Sequence, residues 1–473
     1  MAQEETERST DNGRKRATAW IVASLAVYLL ARFLPPAEGL SDRGQAVLGT
    51  VLCGMLLWMS EAQPLGVTSL AVLALLGTAP ATRPAAVFAG FTSPVVFFLI
   101  GVLTIGAAVE RTGLATRVGR ILLGRARGSP TRLFVQMLVS TVGMAFVVPS
   151  AITRNAILIP AYQETLEKIG NNRSRRTGRA FMLALGVLHP MASSALLTGG
   201  TTSMTTATLV GGISWFRWFA LMAVPYYLLL LGGGALLWAT VGRLEPGAGA
   251  VPAGTDPGPL SAPERRMLVV LGLTSGLWFT DALHGLSPAI PALIAAALLL
   301  APGIGVISWK EFEGRISWGL ILTVGTSLSL AQALMESGGA AWLGQWIVRA
   351  LMSIGNRPQI VVAGLILLVA IMHLAITNLA ACIALLIPLA TYFGLAAGLN
   401  PLACALIVTI VVDAVILYPV QTATNLMAYE SGYFDARDVL WFGLGMLVLT
   451  TAVILGVALP YWSAFGLSLT SPP

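Results

Sequence analysis

Two pairs of short polar stretches, set in apolar sequence and repeated about 220 residues apart, hold most of the chemistry this chain offers. PSAITRNAILIP (149–160) is answered by HLAITNLAACIALLIP (373–388), and TGGTTSMTTATLVGG (198–212) by YPVQTATNLMAYESG (418–432). Thr206-Ala207-Thr208 recurs as Thr422-Ala423-Thr424. Short hydroxyls and amides, with carbonyls freed by unwound backbone, suit a carboxylate or a hard monovalent cation such as sodium. For any one Ser or Thr, helix packing or a bond back to the preceding turn is the stronger reading. The pairing of whole clusters is what favours a site.

Ionisable residues inside the apolar sequence are few: Arg154, Asp413, His189 and His373. A charge at the bilayer centre costs at least about 2.5 kcal/mol, so each is a functional candidate. Arg154 follows Ser150 by four residues, and its planar fork matches two carboxylate oxygens. A structural ion pair with Asp413 or Glu430, or contact with freed carbonyls, accounts for it equally well. Asp413, just upstream of the second break, is a candidate to carry a coupling proton or sodium ion, or to neutralise Arg154. His189 and His373 read as hydrogen-bonded helix residues, and His284 alone remains besides them, so no histidine metal site is expected. Cys53, Cys382 and Cys404 sit in apolar runs at unrelated spacings and read as packing residues.

The elements that must position these groups are membrane helices. Hydrophobic residues make up 56% of the chain and charged residues 10%, where soluble domains carry about a quarter charged; mean hydropathy is +0.81. An all-α polytopic membrane protein is expected. Stretches near the roughly 20 residues that cross a bilayer fall at 17–34, 45–60, 64–79, 91–112, 180–198, 215–240, 264–281, 287–303, 317–336, 401–419 and 437–460, about 11 in all. Two longer ones, 131–168 and 357–395, are long enough to enter and return as re-entrant hairpins. Unwound backbone survives at membrane depth only where protein buries it or water reaches it, so the polar tips imply a wet cavity. Each returning arm offers it a helix N-terminus, which favours an anion. Duplicated broken segments of this kind point to a transporter's binding site.

Arg and Lys collect on the cytoplasmic side of membrane spans. Arg14-Lys15-Arg16 and the clusters Arg111–Arg132, Lys168–Arg179 and Arg243–Arg266 are therefore expected inside, leaving Arg43, Arg83, Arg349 and Arg357 outside. That puts the N-terminus in the cytoplasm and the C-terminus outside. The net charge of +7 reflects this topology, and no nucleic-acid partner is expected. Residues 1–13 are polar and no cleavage site closes the next apolar run, so a first spanning helix is expected rather than a secretory signal. The expected organisation is a tail (1–16), a first helix and loop (17–44), a first repeat (45–241), a Gly/Pro-rich cytoplasmic linker (242–263), a second repeat (264–460) and a tail (461–473). A cytoplasmic linker gives each half an odd number of crossings and so inverts the repeats.

At these residues the chain resembles the divalent anion:sodium symporter family of dicarboxylate, citrate and sulfate carriers, over roughly 45–460. Members carry Ser-Asn-Thr at each hairpin tip, about ten residues before a Pro. Here Ser150 precedes Pro160 by ten, and Thr377-Asn378 precedes Pro388 at nearly that distance. The family's Gly-Thr-Pro-Pro-Asn breaks are echoed by Gly199-Gly200 with Thr206, and by Pro419 with Thr422 and Asn425. SGYFDARDV (431–439) resembles the stretch that follows. The resemblance implies a homodimer of inverted repeats, with scaffold helices holding a transport domain that moves as an elevator. It implies an anion site at Ser150, Arg154, Asn155, Thr206, Thr377, Asn378, Thr422 and Asn425, and sodium at Ser150, Gly199, Thr377 and Asn378. The chain departs from the pattern at Ala151 and Ile152, which remove an amide and a hydroxyl that Thr153 or Asn155 would have to replace. Arg154 stands where exchangers with Ser-Asn-Thr-Ala-Arg have their Arg. Thr377-Asn378-Leu379 lacks the last hydroxyl, and both Pro-Pro pairs are missing.

The expected function is secondary active transport of a small divalent anion, a dicarboxylate, citrate or sulfate, across a bacterial cytoplasmic membrane, driven by sodium symport or anion exchange. The bacterial assignment rests on an Ala-, Gly- and Arg-rich composition with only three lysines. No cofactor is expected beyond a coupling ion; partners are the anion, sodium, lipid and a second copy. A proton-coupled carrier using Asp413, or a permease for another oxyanion such as arsenite, is the alternative. An intramembrane enzyme is remote, because it needs a nucleophile with a positioned base or a ligated metal.

Overall fold

The computed structural model describes residues 2–60, 62–80, 82–114, 116–118, 130–148, 151–169, 173–211, 213–241, 258–352, 357–375 and 379–470. Among them there is no strand. Each of the expected apolar stretches holds a helix. By length and composition five can cross a membrane: Lys15–Phe33, Pro94–Thr112, Trp215–Ala239, Trp318–Glu336 and Ala436–Ala464. Others, such as Leu65–Gly77, Ala289–Leu300 and Pro401–Ala414, are apolar but shorter. The chain is a multi-pass α-helical membrane protein.

It divides into two compact units, one of residues 1–96, 317–408 and 470–473, the other of 97–316 and 409–469. Each draws on both halves of the sequence. In the first, Trp318–Glu336 packs on Leu379–Ala396 and, through a seam of small polar residues, on Leu65–Gly77 and the turn at Gly90. The Ser69 hydroxyl meets that of Thr323 at 3.0 Å, and the Gly90 amide donates to the Ser329 hydroxyl at 2.9 Å. A Cβ on Gly90 would lie 2.1 Å from the Gly325 carbonyl oxygen. Membrane helices lack a hydrophobic drive to associate, and this close approach with hydrogen bonding takes its place. Helix Gly339–Met352 has no counterpart among the expected spans. It is too short to cross and presents Trp346, over whose ring the Arg349 guanidinium sits at 5.4 Å, as interfacial helices do.

The second unit holds both breaks, and they are built alike. Helix His189–Ser194 ends, Leu196 is extended, a single tight turn spans Leu197–Gly199, and Gly200 is extended before helix Thr201–Val210. Helix Pro401–Ala414 ends, Tyr418 is extended, a tight turn spans Pro419–Gln421, and Thr422 is extended before helix Ala423–Tyr429. The hairpin arms are matched too. Pro130–Val147 and Ala151–Ile169 lie on either side of the first expected tip in sequence, Pro358–Ala375 and Leu379–Ala396 on either side of the second, with Pro160 and Pro388 inside the later helix of each pair; the tips themselves lie outside the described residues. Most of the 242–263 linker lies outside the described residues.

At its end the linker locks a helix start. Ser261 and Glu264 form a capping box at helix Ala262–Phe279, which satisfies two backbone amides at once. Arg117 binds the Glu264 carboxylate at 2.6 Å and donates to the carbonyls of Gly258 and Pro259. Those bonds favour the ionised form, so the Glu264 carboxyl is held down to about 2. Because its folded value lies below the roughly 4.3 of an unfolded Glu, the stabilisation is complete above that pH and is lost as pH falls toward about 2. Thermal unfolding of Arg117→Ala against wild type checks this. The Tm gap should hold from about pH 7 to pH 5 and narrow on further acidification; a gap that widens in acid contradicts it.

Candidate functional site

The second unit contains Arg154, Asn155, Gly199, Thr206, Asp413, Thr422 and Asn425. Ser150, Thr377 and Asn378 lie outside the described residues.

Arg154, one turn into the returning arm, is fully buried. Its Nε donates to His189 Nε2 at 2.7 Å and its Nη1 to the Val148 carbonyl. Of the partners the sequence offered, neither Asp413 nor Glu430 is among these bonds; a carbonyl just before the tip and a histidine are. Accepting that bond requires a lone pair on Nε2, so the His189 proton sits on Nδ1, which has no hydrogen-bond partner among the described residues. A guanidinium and an imidazole N–H are thus held together as donors.

Asn155 is also fully buried, and it ties the two halves of the sequence together. Its Nδ2 donates to the carbonyls of Leu185 at 3.0 Å and Thr424 at 3.3 Å. Leu185 belongs to a π-helical turn, Ala184–Leu188, a distortion common at functional sites. Asn425, equally buried, donates from Nδ2 to the carbonyls of Tyr418 and Pro419, and its amide donates to the Thr422 hydroxyl. These bonds fix both amide orientations. Each Oδ1 then has no hydrogen-bond partner among the described residues. Asn425 Oδ1 lies over Gly186, where a Cβ would come within 2.7 Å of it. One small region therefore collects the carboxamides of both repeats, Thr422 and a glycine that admits them. Buried acceptors of this kind call for a cation, a hydroxyl or water.

Asp413 has hydroxyl partners: Tyr226 at 2.7 Å and Thr202 at 3.1 Å. Thr206 meets Thr409 at 2.8 Å, which links the helix after the first break to the helix before the second. Gly199 is placed by packing, since a Cβ there would lie 1.8 Å from the Ser193 carbonyl oxygen. Sequence reasoning passed over Tyr226, Thr202 as a partner of Asp413, and Gly186. A tyrosine following Pro225 in a long apolar span was the available signal for the first; the last had none.

Comparison with known proteins follows the same lines. The family model described as the sodium:sulfate symporter transmembrane region matches residues 15–468. The chain is 24% identical to a sodium-dependent dicarboxylate transporter, SdcS, of Staphylococcus saprophyticus, over 94% of this chain and 92% of that protein. It is 25% identical to an L-tartrate/succinate antiporter of Escherichia coli, over 94% and 98%. A 26% identical relative from Cupriavidus necator is described as a membrane protein. Among solved structures, the YdaH transporter of Alcanivorax borkumensis shares the fold, with a TM-score of 0.56 at 18% identity over 87% of this chain and 98% of that one.

Gly199→Ala should lower the Tm of the purified protein by several degrees or prevent its accumulation, because the added methyl meets rigid backbone. Gly106→Ala, where nothing lies within 4 Å, should leave Tm unchanged or raise it, given the roughly 1 kcal/mol helix preference for Ala. Equal effects would show that the break does not depend on that contact.

Proposed function

The chain belongs to the sodium:sulfate symporter family, and from that premise we propose that it is a secondary active transporter of a small divalent anion. Dicarboxylates, citrate and sulfate are the substrate classes, and the names of its dicarboxylate and tartrate/succinate relatives support the first. The observation that carries the reading is the buried Arg154 beside Asn155, whose side chain reaches the second break at Thr424. A guanidinium at membrane depth is costly, and a dianion is the ligand whose charge and two-oxygen geometry it matches.

The proposed anion ligands are Arg154, Thr422 and Thr206, with Ser150, Thr377 and Asn378 from the expected hairpin tips; Asn155 and Asn425 join them by releasing their Nδ2 groups from the backbone carbonyls, since the oxygens they present otherwise suit a sodium ion or a hydroxyl. Sodium, if it is the coupling ion, is assigned to Ser150, Gly199, Thr377 and Asn378. The driving gradient is that of sodium or of an exchanged anion, with a proton gradient as the alternative. A homodimer working by an elevator movement of inverted repeats, in a bacterial cytoplasmic membrane with the N-terminus inside and the C-terminus outside, is the architecture we propose for it.

Uptake of labelled succinate, citrate and sulfate into proteoliposomes of the full-length protein tests this. At least one should accumulate, and its rate should rise with external sodium or with unlabelled anion inside. Uptake of all three that is indifferent to sodium, to pH and to internal anion would falsify gradient-driven transport.

A further inference from the structure

Asp413 is buried in the last turn of helix Pro401–Ala414, immediately before the second break. Tyr226, itself fully buried, donates to its Oδ2 at 2.7 Å from helix Trp215–Val241. Thr202 donates to the same oxygen at 3.1 Å from the first turn of helix Thr201–Val210. Ser194, closing the helix before the first break, brings a third hydroxyl near the carboxyl, one that donates to the Pro190 carbonyl at 3.3 Å. Among the described residues its hydrogen-bond partners are hydroxyls, and no described ion pair includes it. Of the titratable groups on these elements, Tyr226 alone contacts it; His189, on the helix of Ser194, is taken up by Arg154. No cluster of three His, Cys, Asp or Glu that could hold a metal ion exists among the described residues.

Such surroundings do not fit a permanently ionised carboxylate, because a buried charge is retained when a counter-charge pairs it and otherwise takes up a proton. Nor do they fit a carboxyl locked in one state. Hydroxyls both donate and accept, so the same cage serves both forms: all three can donate to a carboxylate, and one can turn to accept from a carboxylic acid. Arg or Lys partners, which only donate, could not do this.

We propose that Asp413 is a proton-binding site whose cage of Tyr226, Thr202 and Ser194 lets it take up a proton from water on one side and release it on the other. Its place between the two breaks, bonded to one and adjoining the other, couples that proton to the anion site; this coupling rests on the transport reading above, whereas proton binding itself does not.

Infrared difference spectroscopy of the purified full-length protein, with and without Asp413→Asn, decides the proton site without a substrate. Wild type at neutral pH should show the carbonyl band of a protonated carboxylic acid, shifted in heavy water and absent from Asp413→Asn. Tyr226→Phe should keep the band and move the pH at which it disappears. Absence of the band from wild type, its survival in Asp413→Asn, or its removal by added sodium at fixed pH overturns the proposal, the last by making Asp413 a sodium ligand. In proteoliposomes, an acid-outside gradient should raise labelled succinate, citrate or sulfate uptake several-fold in wild type and not in Asp413→Asn. A band without any gradient response would keep the proton site and reject the coupling.

Discussion

Polar groups at membrane depth must find their partners inside the protein, since lipid offers none. That constraint shapes the second unit. At the second break the carbonyls of Tyr418 and Pro419 are met by Asn425 Nδ2, while Asn155 Nδ2 reaches the carbonyl of Leu185 in a π-helical turn and that of Thr424 in the first turn of the helix after the break. Each carboxamide thereby gives its donor to backbone and presents an oxygen that has no hydrogen-bond partner among the described residues. The breaks thus pair unwound backbone that a bilayer would reject with fixed, oriented side chains in the unit that holds the buried guanidinium.

Close backbone approach is the second requirement, and glycine meets it. Gly199 lets the first break fold against Ser193, Gly186 leaves room for the Asn425 carboxamide, and Gly90 brings a turn onto the carbonyl of Gly325. These are positions where one methyl would push elements apart. The matching breaks, with a tight turn between two extended residues in each, show that the duplicated sequence is a duplicated backbone device, although only one repeat supplies the arginine.

The class of fold was plain in the sequence, because apolar runs of bilayer length and a scarcity of charge leave few alternatives. The breaks were legible through Gly199-Gly200 and through Pro419 with Thr422, whose residue types cannot continue a helix comfortably. The amphipathic helix Gly339–Met352 was not, since its polar positions carry it beneath any span criterion. Partners were the least legible part. Arg154 could have paired with several groups on chemistry alone, and which one lies within reach depends on packing across 35 residues of separation for His189. Asp413 and Tyr226 are 187 residues apart, and nothing local announces their contact.

The central claim is that the buried Arg154 binds a small dianion. Thermal stabilisation of the purified full-length protein by succinate, citrate and sulfate measures this most directly, because a ligand that binds only the folded state must raise Tm. At least one of these should raise the Tm of wild type in a concentration-dependent way, and Arg154→Ala should weaken its apparent affinity by roughly tenfold to a hundredfold, as expected for the loss of a charge-assisted hydrogen bond. Stabilisation of equal affinity in a folded Arg154→Ala protein would contradict the account.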